Sequence, residues 1–174
     1  LQPKDIRTLF TVSEVTLYGK PQPAFFIHAY RFMVATGLRR GELCGLRWED
    51  YDGDTICIRR SINRFQEETH GKNDNAVRSF QPCKIAQEVL ARQREALKSA
   101  GITSPWIFPD EYGERLNPNH LYDSWRVYRR QHGLCATLHE LRHTFISLNK
   151  NDMPLELLKG VVGHSIQTDT TGIY

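Results

Sequence analysis

The sequence predicts an α+β domain that is mainly helical, with one small antiparallel β-sheet. Three features carry that expectation. Apolar residues recur at three- and four-residue spacing in several runs bounded by Gly, Pro or capping residues, the pattern of amphipathic helices. One stretch, from Thr55 to Pro82, instead opens on Thr55-Ile56-Cys57-Ile58 and reads as strands around a polar turn. The 174 residues are 40% apolar and 25% charged, enough to bury a core as one domain, or one domain with a short appendage.

Taken in order, a first helix is expected after Gln2-Pro3, since Pro suits a first helical turn. A second runs from Ala24 to Leu38 and ends at Gly37 or just after. Gly41 to Trp48 reads as a short helix that turns Leu43, Leu46 and Trp48 inward. Asp50 to Asp54 is acidic turn material around Gly53. Strands follow from Thr55 to Pro82, on either side of a polar turn at His70-Gly71-Lys72-Asn73-Asp74-Asn75. Lys84 to Ala100 is an amphipathic helix, and Ser104-Pro105-Trp106 opens a loop. Helices are expected at 117–132, 137–149 and 154–162.

Several classes are excluded. No run of 18 apolar residues exists, so no helix is expected to span a membrane. Leu1-Gln2-Pro3-Lys4-Asp5 has neither Met nor an apolar leader, and the chain reads as a fragment of a longer one. Cys44, Cys57, Cys83 and Cys135 are widely spaced, which fits a reducing compartment better than a disulfide framework. The net charge of +3 is too small to argue for nucleic acid by itself. Its distribution says more: residues 115–150 hold six basic side chains against Asp123 and Glu140. Alone, that is a solvated basic helix face.

His139-Glu140-Leu141-Arg142-His143 matches the H-E-x-x-H pattern of zinc peptidases, with two His on one helix face and Glu140 as base. The extended form of that pattern needs Gly at 146 and His at 149, where the chain has Ile146 and Asn149. Glu156 and His164 remain as loose third ligands. The same helix has another reading. Leu138, Leu141, Phe145 and Leu148 form an apolar stripe, which sets His139 and Arg142 together beside it. An imidazole and a planar guanidinium side by side suit an anion with several oxygens.

Two further segments point the same way. Thr36-Gly37-Leu38-Arg39-Arg40-Gly41-Glu42-Leu43 sets Arg39 at a helix break between glycines, with Glu42 three residues on. Val161-Val162-Gly163-His164-Ser165 places another His after an apolar helix, and Tyr174 follows ten residues later. With these boxes in order, the whole chain resembles the catalytic domain of the tyrosine recombinases, the phage-integrase family. T-G-L-R-x-G-E-L-x-x-L-x-W resembles the box of the family's first arginine, hence Arg39, with Glu42 as its accompanying acid. K-x-x-x-x-x-R-x-apolar gives Lys72 in a hairpin turn, followed by Arg78 and Phe80, although Asn73 replaces the commoner Thr. H-x-x-R is His139 and Arg142. G-H-S-x-x-x-x-T-x-x-Y supplies His164 and the nucleophile Tyr174.

The resemblance implies a DNA breaking-and-rejoining fold and a chemistry that explains these residue types. A phenol with a pKa near 10 needs help to attack a phosphodiester. Arg39, Arg142 and His164 would bind the phosphate and stabilise its growing charge. His139 would accept the proton of Tyr174, and Lys72 would protonate the leaving 5′-oxygen. Cationic side chains then do what Mg²⁺ does elsewhere, so no metal or other cofactor is expected. No phosphate-binding loop of the G-x-x-x-x-G-K-[ST] type occurs, so no ATP is expected either.

The resemblance further implies double-stranded DNA as partner and no membrane. It implies a homotetramer on DNA for the full-length enzyme, and a monomer or weak dimer for this fragment. The location would be the bacterial cytoplasm, at the nucleoid. Residues 1–174 would be the catalytic domain, without the family's N-terminal core-binding domain and C-terminal tail. The Gln167–Tyr174 segment looks like integrases of bacterial mobile elements. Type IB topoisomerases use similar groups, but the Thr36–Trp48 box favours a recombinase. Two readings lie outside this class: a zinc metallopeptidase using His139, Glu140 and His143, and a DNA-binding fragment without activity.

Overall fold

Helix α2 (Ile27–Thr36) is the centre of the fold, and its composition explains why. Its sequence IHAYRFMVAT has eight buried residues, so neighbours must cover almost every face. The computed structural model describes residues 1–69 and 77–163. Within them α1 (Pro3–Thr11), α4 (Lys84–Ser99) and α6 (Leu138–Asn149) pack around α2. The remaining helices are α3 (Arg40–Cys44), α5 (Pro118–Gln131) and α7 (Leu155–Val162), with a 3-10 turn at Trp48–Asp50. One continuous core runs through Leu9, Phe32, Leu38, Leu43, Ile56, Leu90, Ile107, Trp125 and Leu141. Arg31, buried within α2, satisfies the open end of α1. Its Nε donates to the Leu9 carbonyl at 2.8 Å and its Nη2 to the Val12 carbonyl at 3.2 Å and Ser13 Oγ at 2.9 Å.

The expected fold class holds: helices dominate and the strands are short and antiparallel. The helices other than α3 lie close to their expected bounds. The stripe on α6 is buried at Leu138, Leu141 and Phe145, but Leu148 is exposed. The β structure is divided differently. Among the described residues it forms three two-stranded pairs instead of one sheet. β3 (Ile56–Ile58) pairs with β6 (Arg78–Phe80), with Cys57 opposite Ser79. β4 (Ser61–Ile62) pairs with β5 (Glu68–Thr69). Arg60 breaks the run between β3 and β4, because its guanidinium turns inward to Asp50 Oδ2 at 2.7 Å and the Gly45 carbonyl at 3.1 Å. The polar turn expected at 70–75 lies outside the described residues.

The third pair, β1 (Glu14–Leu17) with β2 (Lys20–Pro23), falls where no strand was expected. Its turn residues Tyr18 and Gly19 both have positive φ, 52° and 75°, as a two-residue hairpin requires. Gln131 on α5 closes onto this hairpin: its Oε1 accepts from Thr16 N at 2.7 Å and its Nε2 donates to Thr16 O at 2.8 Å. The short helix expected from Gly41 to Trp48 stops at Cys44. At Gly45 a Cβ would lie 2.9 Å from Arg60 Cγ and 3.0 Å from its carbonyl oxygen, so this position packs on Arg60, just before β4, too closely for a larger residue. No helix among the described residues is long and apolar enough to cross a membrane.

Candidate active site

α2 ends at Gly37, whose φ of 69° places it in the left-handed region and turns the chain sharply. Leu38 is buried, and Arg39 follows as the residue preceding α3. Glu42 caps this helix and fixes Arg39 at the same time. Its Oε2 accepts the Arg39 backbone N–H and its Oε1 the Arg39 Nη1, both at 2.9 Å. Gly41 between them has no room for a side chain, since a Cβ would lie 2.5 Å from the Ile62 carbonyl oxygen. The Arg39 side chain stays 43% exposed, while Glu42 is buried. Burial pushes the Glu42 carboxyl up, but the Arg78 and Arg39 guanidiniums outweigh it and hold the carboxyl below its ordinary value.

Arg142 comes from the opposite side, on α6. It is 2% exposed and donates to two neutral carbonyls, Gly37 O through Nη1 and Val162 O through Nη2, each at 2.7 Å. Burial and the charges of Arg39 and Arg78 lower it to about 9, against the opposing effect of Glu42. It is therefore cationic at neutral pH. Thr137 caps α6, and the Glu140 carboxylate returns to the Thr137 backbone N–H at 2.6 Å. His139, in the first turn, has a lowered pKa, from burial first and then from His143, Arg142 and Arg39. A neutral imidazole beside two cations can accept a proton.

These groups open on one cavity of about 280 Å³, lined by Arg39, Arg40, His139, Arg142, Tyr122 and Leu38, among others. The guanidinium carbon of Arg40 lies 5.8 Å from the centre of the Tyr122 ring. The end of α7 meets the same cluster. Arg78 Nε donates to Val161 O at 2.7 Å, Arg142 Nη2 to Val162 O, and Arg39 Nη2 to Gly163 O at 3.2 Å. Three arginines thus satisfy the last carbonyls of a helix, where the backbone dipoles concentrate negative charge.

The structure therefore brings together Arg39, Glu42, His139 and Arg142. Lys72, His164 and Tyr174 lie outside the described residues. The zinc reading gains nothing from the geometry. The His139 and His143 rings meet edge to face, 4.6 Å between centroids, and Glu140 is engaged in its helix cap. No group of three or more His, Cys, Asp or Glu suited to a metal occurs among the described residues. Arg40 and Tyr122 escaped the sequence reading, since a second Arg in an Arg-Arg pair and a Tyr on a polar helix carry no distinct pattern. Arg78 stood in a motif without a role.

The family model described as the phage integrase family matches residues 1–174. The chain belongs to the phage integrase family. A tyrosine recombinase XerC-like protein of Caldanaerobacter subterraneus subsp. tengcongensis is 27% identical over 91% of this chain and 46% of its own length. Tyrosine recombinase XerA of Pyrococcus furiosus is 26% identical over 82% of this chain and 46% of its own length. The phage-integrase chain thus spans about half the length of the curated relatives it matches. In fold it is similar to a Tn1549 transposon integrase solved with transposon right-end DNA, at a TM-score of 0.75 and 21% identity over 95% of this chain and 57% of that one. It is also similar to a lambda integrase tetramer bound to a Holliday junction, at 0.71 and 17% over 100% and 49%.

Proposed function

We propose that residues 1–174 are the catalytic domain of a site-specific DNA recombinase or integrase, which cuts and rejoins strands through a 3′-phosphotyrosyl intermediate. The observation that carries this reading is the shared cavity. Arg39 and Arg142, far apart in sequence, line it together with a His139 biased toward its neutral form. Family membership and the naming of its relatives as tyrosine recombinases support the same reading.

In the proposed reaction the Tyr174 phenol oxygen attacks phosphorus in line, and the bond from phosphorus to the 5′-oxygen breaks. His139 takes the phenol proton, and Lys72 returns one to the departing 5′-hydroxyl. Arg39, Arg142 and His164 stabilise the nonbridging oxygens. The tyrosyl ester keeps the energy of the broken bond, so rejoining needs no ATP, and the guanidiniums supply the positive charge a metal would otherwise bring. The partner is double-stranded DNA. The full-length enzyme acts as a homotetramer on it, as the solved lambda integrase does on its junction. The enzyme works in the cytoplasm at the nucleoid, serving a mobile element.

The test uses the full-length protein and a DNA site nicked just past the scissile phosphate. The short 5′ product diffuses away, so the wild type accumulates a protein–DNA adduct. Tyr174→Phe forms none and still binds the site. An adduct that persists in this variant moves the nucleophile elsewhere. Binding without any adduct in the wild type overturns the catalytic reading in favour of DNA binding alone.

A further inference from the structure

Arg78 has no part in the chemistry proposed above, yet each of its hydrogen bonds ends on the frame of the site. From β6 it reaches Glu42 as a two-pronged fork, Nη1 to Oε1 at 3.0 Å and Nη2 to Oε2 at 2.8 Å. Its Nε holds the Val161 carbonyl. Its side chain is 8% exposed and does not line the cavity. It therefore acts on the site only through what it touches.

Consider Glu42 without it. The carboxylate would face Arg39 alone, at 2.9 Å, and the two charges would largely cancel where the cavity needs a cation. Glu42 is still required, because it caps α3 and fixes the Arg39 guanidinium through two separate hydrogen bonds. Arg78 resolves this conflict. With it, two guanidiniums share one carboxylate, and the cluster of Arg39, Arg78, Glu42 and the nearby Arg142 keeps two net positive charges.

We infer that Arg78 is a positioning residue: it neutralises Glu42, so that Glu42 orients Arg39 without cancelling its charge toward the scissile phosphate. The inference rests on the cavity being a phosphate site.

Inorganic phosphate titrated into the protein, followed through the arginine Nε–Hε NMR signals, separates the two ideas. In the wild type the Arg39 and Arg142 signals shift together along one binding curve. No shift in either removes the phosphate reading, and the role of Arg78 with it. Given binding in the wild type, Arg78→Met raises the dissociation constant at least about tenfold. The double variant Arg78→Met, Glu42→Gln has no carboxylate left to neutralise, and it binds at least about threefold more tightly than Arg78→Met, short of the wild type because an amide has one acceptor oxygen for the two Arg39 donors, whereas Arg78→Lys, which keeps the charge, stays within about threefold of the wild type. A purely structural brace would not be rescued by removing Glu42. Wild-type affinity in Arg78→Met, or a double variant as weak as the single one, overturns the inference. Should Arg78→Met fail to fold, the double variant and Arg78→Lys decide it: a tenfold loss in both refutes the role.

Discussion

Gly37 and Gly133 form a natural controlled pair. Both have almost the same positive φ, 69° and 68°. A Cβ on Gly133 would meet nothing within 4 Å, whereas one on Gly37 would lie 2.5 Å from Phe145 Cδ1 and 3.0 Å from Cγ. Alanine at either position bears the left-handed penalty of about 1–2 kcal/mol. At Gly37 the ring must also move, and Phe145 is buried against Leu158 and Val162. Overpacking of that kind adds about 1–3 kcal/mol. Gly133→Ala should therefore lose about 1–2 kcal/mol and Gly37→Ala about 2–5 kcal/mol. For a chain of this size each kcal/mol shifts Tm by about 2–4 °C, so urea and thermal unfolding both resolve the difference. The two variants also differ at the site. The Gly37 carbonyl accepts from Arg142 Nη1 at 2.7 Å, so only Gly37→Ala should weaken phosphate binding. Equal losses of stability in the two variants would refute the contact argument, by showing that Phe145 yields freely.

Three further outcomes are expected. Arg31→Met removes hydrogen bonds to Leu9 O, Val12 O and Ser13 Oγ from a buried position, and should cost about 2–4 kcal/mol in urea denaturation. Burial, Arg31 and Arg92 lower His28 from 6.5 to about 4, so the unfolded chain takes up its proton first and stability falls as pH drops from 6.5 toward 4. His28→Gln should flatten that part of the wild-type curve, leaving the share of His139, whose pKa is lowered too; an unchanged slope would mean that His28 titrates normally when folded. Arg142→Lys keeps a charge but cannot hold both carbonyls and a phosphate fork, so adduct formation should fall by at least about 100-fold with DNA binding largely retained.

What was legible in the sequence follows from how local each signal is. α2, α4, α5, α6 and α7 show their apolar periods and end at recognisable stops, such as Gly37 and Gly163, both with positive φ. Arg39, Glu42, His139 and Arg142 sit in short, ordered boxes, and the structure brings them together. The β1–β2 hairpin was hidden because its turn begins with Tyr18, which a positive φ does not favour, and because Pro21 and Pro23 argue against a strand. β2 tolerates them as an exposed strand with one pairing neighbour among the described residues. The division of the sheet depends on Arg60 turning to Asp50, and the work of Arg78 depends on Glu42. Both are pairings between distant segments, which no spacing within one segment encodes.

The arrangement of arginines shows how a site can keep its charge and still be rigid. A guanidinium fixed by a carboxylate gives up much of its field to that partner. Among the described residues Arg142 is fixed by two neutral carbonyls instead, Gly37 O and Val162 O, so geometry is imposed without cancellation. The consequence appears in its lowered pKa, driven chiefly by burial and by the nearby Arg39 and Arg78. That is the signature of a cation held where it would rather be solvated, and an arriving anion relieves it. Arg39 takes the other route and is fixed by Glu42, which is acceptable because Arg78 supplies the second counter-charge. The carbonyls that hold Arg142 end α2 and α7, the two helices that turn at Gly37 and Gly163. Any substitution that displaces either turn should therefore register as lost anion affinity, even where no residue of the cavity has changed.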